Sequence, residues 1–134
     1  MINWFKRGTL SDGMSIAQAR KYVYAFGDLL AQGAPLIGDA STLPCPRDKL
    51  RQAFQVYLAW MNAERSKDSI NFEKEGYGET LRAAESCFAR LSDFHDIAPE
   101  DKAAVERANR NPSSFISDEG IELLGKYPPG QSEK

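Results

Sequence analysis

The sequence predicts an all-α fold: an irregular antiparallel bundle of four main helices with a short C-terminal helix. Three observations predict it. Apolar residues recur at helical spacing in three long segments. Ser, Pro and acidic residues stand where helices should start, and Gly or Pro where they should stop. The composition, 42% hydrophobic and 27% charged over 134 residues, suits a chain that can bury one core. The expected organisation is a single helical domain over 1–134, with an N-terminal arm at 1–14 and a frayed tail at 127–134.

The first helix is expected to open at Ser15, where "SIAQ" has the form of a capping box. Ile16, Ala19, Tyr22, Val23, Phe26, Leu29 and Leu30 then share one face; Arg20, Lys21, Tyr24, Asp28 and Gln32 share the other. Gly33 and Pro35 supply the stop. Gly27, inside the helix, reads as a place where a neighbouring helix comes close. The connection 34–45 is rich in turn formers, with Leu36, Ile37 and Leu43 pinning it to the core.

Pro46 suits the first position of the second helix, because its missing N–H would go unpaired there anyway. Leu50, Ala53, Phe54, Tyr57, Leu58 and Met61 form its main stripe. A narrower stripe, Val56, Trp60 and Ala63, flanks it and makes this helix the expected centre of the fold. Residues 67–78 break the pattern, with room for a short helical turn and with Ile70, Phe72 and Tyr77 as anchors. A third helix follows from about Glu79 to Phe94, its stripe Leu81, Ala84, Cys87, Phe88, Leu91 and Phe94. The fourth, Pro99 to Asn109, has only Ala103, Ala104, Val105 and Ala108 to bury and should be peripheral. Its acids, Glu100 and Asp101, and its bases, Arg107 and Arg110, complement the helix dipole. A fifth helix, Asp118 to Gly125, should turn Ile121 and Leu124 inward. The first two helices share K-x-x-x-A-F-x-x-x-L-A, but two similar helices fall short of the three units a stacked repeat needs.

Composition also narrows function. Seventeen basic and nineteen acidic residues give a net charge of −2, which argues against a general pull toward nucleic acid. No apolar run approaches the roughly 18 residues of a membrane span, and "MINWFKRGTL" has no secretory h-region. Cys45 and Cys87 form no CxxC pair and no zinc-ligand set; the sequence allows one disulfide between them without requiring it, and a reduced, cytoplasmic setting is the default expectation. No glycine-rich phosphate loop, nucleophile elbow or HExxH motif occurs, and no cofactor is implied.

Four candidates remain. "SDFHDIAPED" sets His95, the only histidine, among Asp93, Asp96, Glu100 and Asp101. On a continuing helix those carboxylates diverge from the imidazole, and one histidine is too few for a zinc site, so His95 reads as a helix–helix corner. Cys45, at a helix N-terminus, should feel a dipole that lowers its thiol pKa, though it has no evident base partner. Trp4 and Phe5, beside Lys6 and Arg7, either fold back on the bundle or make weak contact with an anionic membrane surface through residues 2–7. Val56 and Trp60 form a stripe beyond what the core needs, and with Trp4 and Phe5 are the candidate partner-binding residues. The sequence therefore points to a non-enzymatic interaction module that binds an unknown protein partner or itself. The alternative is a small enzyme or ligand-binding protein with a site around Cys45 and His95 at one end of the bundle.

Overall fold

The computed structural model describes residues 13–130. Among them the chain is all-α, with six helices and one pair of two-residue strands. Helix α1 spans Ile16–Ala31, α2 Arg47–Lys67, α3 Ser69–Lys74, α4 Tyr77–Arg90, α5 Lys102–Arg110 and α6 Asp118–Lys126. Strands β1 (Gly38–Asp39) and β2 (Phe94–His95) pair in parallel, Gly38 opposite Phe94 and Asp39 opposite His95. No helix among the described residues is long and apolar enough to cross a membrane.

Local signals set the first half. Ser15 caps α1 by accepting the Gln18 N–H at 3.0 Å. Only half of the capping box forms, because the Gln18 side chain turns to the Tyr22 hydroxyl. Ala19, Val23 and Phe26 are buried, whereas Ile16 stays exposed in the first turn. A Cβ on Gly27 would meet nothing within 4 Å, so the expected close approach of a neighbour is not there. Helix α2 is the centre, packed against α1, α3 and α4. Pro46 is its cap rather than its first helical residue. Phe54, fully buried, stacks on Phe88 with ring centroids 5.0 Å apart. Phe26 meets Phe54 and Phe94 edge-on at 5.9 and 5.3 Å, the geometry in which a positive ring edge faces a negative ring face.

The third predicted helix ends early. Helix α4 stops at Arg90, a 3₁₀ turn spans Leu91–Asp93, and Phe94–His95 leave as β2. Tertiary partners explain this. The backbone pairs with β1, and the Phe94 carbonyl accepts from Arg47 Nη1 at 3.2 Å. The Phe94 ring lies where a Gly38 Cβ would stand, so only glycine fits at that point of β1. Successive strand side chains diverge. Phe94 joins the aromatic core, while the His95 ring lies 5.9 Å from Tyr127 in a second apolar cluster.

That second cluster comprises Ile37, Ile97, Val105, Ala108, Phe115, Leu123 and Tyr127. The helices around it are short, and side chains bond the chain together between them. Asn109 Oδ1 accepts the Leu36 and Ile37 N–H groups at 3.1 and 3.2 Å, and its Nδ2 donates to the Ile37 carbonyl at 2.8 Å. Arg90 pairs through Nε with the buried Asp93 and donates through Nη2 to the Pro35 carbonyl at 2.8 Å. The Tyr127 hydroxyl accepts the Ala98 N–H at 3.1 Å and donates to Asp101 Oδ2 at 2.8 Å.

Several expectations are corrected here. Tyr127, placed in a frayed tail, is buried. In α6 Ile121 is exposed; Gly120 and Leu123 face inward with Leu124 beside them. Gly120 sets that phase, since a Cβ there would collide with the backbone at Ser114 and Phe115. Helix α5 begins at Lys102 after a 3₁₀ turn at Pro99–Asp101, and Ala103 is exposed. In the 34–45 connection Ile37 is fully buried and Leu43 half-buried, but Leu36 is exposed. Of the anchors in 67–78 only Phe72 is buried, and the short helical turn is α3.

Candidate functional site

Among the described candidates, Cys45, Val56 and Trp60 pack against the aromatic core, whereas His95 packs against Tyr127 of the second cluster. Trp4 and Phe5 lie outside the described residues. Cys45 is half-buried against the aromatic core, and that burial pushes its thiol above the ordinary range although Lys49 pulls the other way. The expected lowering by the helix dipole is outweighed by desolvation. Cys87 is half-buried too, its thiol likewise raised by burial. His95 faces Tyr127, and its Nε2 is buried without a hydrogen-bond partner. Burial first, and the Arg47 charge second, hold its pKa below the usual histidine value against the pull of Asp93 and Asp96. A hollow of about 400 Å³ opens beside the start of α2, between Asp39, Arg47, Asp96 and Lys102, but neither Cys45 nor His95 lines it. Its charges are already paired, Arg47 with Asp96 at 3.1 Å and Lys102 with Asp39 at 3.8 Å.

Val56 and Trp60 are both half-buried against the core. They diverge in surroundings. Trp60 helps line a cleft of about 340 Å³, and Val56 is not among the residues that line it. Four helices build it. Helix α1 contributes Arg20 and Tyr24, one turn apart; α2 contributes Tyr57, Trp60, Met61, Glu64 and Lys67. Asn71 and Phe72 come from α3, preceded by Asp68, and Tyr77 and Thr80 from α4. The α3–α4 corner depends on Gly76, whose φ of 87° is left-handed and suits glycine. That corner sets Phe72 and Tyr77 5.7 Å apart, while Tyr57 lies 5.9 Å from Trp60 and 6.1 Å from Tyr24. Tyr24 and Tyr77 are each 51% exposed, so the rings at the rim face solvent rather than sealing the cleft.

Charge in the cleft is unevenly committed. Lys67 and Glu64 pair at 3.0 Å. Asp68 accepts the Asn71 N–H at 3.1 Å and caps α3. Among the described residues no carboxylate pairs with Arg20, which is exposed at the rim. Tyr57, fully buried below, keeps its proton: burial chiefly, and Tyr24 next, drive its pKa far above that of an ordinary phenol, with Arg20 opposing. The cleft can therefore hold a flat apolar group between rings, with hydroxyls and one cation at its edge. Neither a histidine nor a thiol lines it.

Sequence reasoning found Trp60 and missed the rest. Arg20 and Tyr24 sat on what reads as the wet face of the first helix, and 67–78 read as a break. The available signal was the pairing of spacings: Arg20 with Tyr24, and Trp60 with Glu64, each four residues apart on helices expected to be neighbours. Comparison of the chain with protein-family models, with curated proteins and with solved structures finds no match in any of the three.

Proposed function

We propose that the chain is a non-enzymatic interaction module, cytoplasmic in setting, which takes a projecting aromatic side chain of a protein partner into the cleft beside Trp60. One observation carries this: a half-buried indole stands among four other aromatic rings in an open cleft instead of being covered by the core. Tryptophan and tyrosine supply large contact area at low entropic cost and dominate binding hot spots, above all in pockets that exclude water. A volume of about 340 Å³ is at the small end for ligand sites and suits one side chain. A second copy would have to present a projecting ring to the cleft while receiving one in return, and that arrangement is an outcome of the test below. The net charge of −2 gives nucleic acid no overall electrostatic pull toward the chain.

The test is a titration of the ¹⁵N-labelled chain with N-acetyltryptophanamide, a neutral mimic of a partner's tryptophan. Amide shifts should cluster at Asn71, Tyr77 and Thr80, and sedimentation of the free chain should give a monomer. Shifts scattered over the surface, or none at millimolar probe, would overturn the proposal. A dimer that dissociates on Trp60→Ala would replace the partner with a second copy.

A further inference from the structure

We infer that the partner segment carries a carboxylate beside its aromatic side chain, the ring entering the cleft and the carboxylate meeting the Arg20 guanidinium at the rim. This rests on the docking role just proposed and adds to it the sign of the partner's charge.

Four ionisable side chains with full charges line the cleft: Arg20, Glu64, Lys67 and Asp68. Two of them cancel, since Lys67 holds Glu64 at 3.0 Å. Asp68 spends its carboxylate on the α3 cap, at the positive end of that helix. Arg20 alone is left with five donors and no carboxylate partner among the described residues. It projects from α1 one turn before Tyr24, so an anion bound to it stays within reach of a ring seated against Tyr24 and Trp60. A guanidinium receives a carboxylate through two parallel N–H bonds, which fixes the orientation of the group that bears it. A cationic partner would meet the same guanidinium as a like charge.

Three tryptophan probes separate the two ideas: N-acetyltryptophan, an anion at neutral pH; N-acetyltryptophanamide, its uncharged isostere; and tryptophanamide, which lacks the acetyl group and is a cation below neutral pH. All three are titrated into the full labelled chain and followed at the Thr80 amide. The anion should bind about two- to fivefold more tightly than the neutral probe, the gain expected of one exposed ion pair. That advantage should vanish in Arg20→Gln, an exposed site whose change leaves the core intact, and should shrink in high salt. Equal binding of anion and neutral probe, or tightest binding of the cation, would overturn the inference while leaving the docking role standing. Binding of none of the three would overturn both.

Discussion

The two apolar clusters are held by different means. The first is a helical core in which four rings, Phe94, Phe26, Phe54 and Phe88, touch in sequence across α1, α2, α4 and β2. The second has mostly smaller side chains on short helices and turns, and polar side chains fasten it: Asn109 on the Leu36–Ile37 backbone, Tyr127 on Ala98 and Asp101, Arg90 on Pro35. Burial of apolar area is non-directional and roughly additive. A clamp of three hydrogen bonds works only in one geometry, and loss of Asn109 leaves the part-buried Ile37 N–H and carbonyl, and the more exposed Leu36 N–H, without their partner. The first cluster should therefore fail by losing volume, and the second by losing a bond.

The largest effect expected from that contrast is at Phe54. Truncation to alanine removes the ring at the middle of the aromatic series and should cost about 3–5 kcal/mol in denaturation free energy. The loss should be global, with exchange accelerating in no region selectively. Asn109→Ala should cost less, about 1–2 kcal/mol, because it leaves the part-buried Ile37 N–H and carbonyl without their partner, while water can reach the Leu36 N–H. Here the loss should be local first. Amide hydrogen exchange at Leu36 and Ile37 should accelerate while the α1 and α2 amides keep their protection. Uniform loss of protection in both variants would erase the distinction between the clusters.

A smaller, opposite effect is expected at Gly27. Open space around its Cβ position means that Gly27→Ala should stabilise the chain by up to about 1 kcal/mol through helix propensity alone. Gly120→Ala, where a Cβ meets backbone, should destabilise it, and urea titration of the pair reads both signs. Acid should also weaken the junction between the clusters. The His95 pKa is lowered in the folded chain, so the unfolded state takes up more protons as pH falls through the ordinary histidine range. Stability is then full above about pH 6.5 and declines below it. The pH dependence of His95→Gln subtracted from that of wild type should isolate this decline; a flat difference would contradict it.

How much of this was legible follows from the same contrast. The Phe54, Tyr57 and Leu81 positions are local periodicity made visible, because an amphipathic helix writes its buried face into its own sequence. Asn109 carries no such mark. It sits near the end of a helix, and its partners are more than seventy residues away. His95 shows the limit of local geometry: its angular separation from Asp93 holds only on a continuing helix, whereas the helix ends at Arg90 and the chain pairs with β1 at His95. The cleft falls between these cases. Trp60 announced itself as surplus apolar surface, but the corner that walls the cleft depends on Gly76 and a six-residue helix too short to show a period.

The cleft belongs to the first cluster, and its claim to be a binding site rests on Trp60 being more than a plank of that core. The most direct measurement is the affinity of Trp60→Ala for N-acetyltryptophanamide, taken with its denaturation free energy. The expected result is a loss of about thirtyfold or more in affinity, as for a central hot-spot residue, with the fold retained. An affinity within twofold of wild type, together with a stability loss of about 3–5 kcal/mol, would make Trp60 a core residue and leave the cleft without a function.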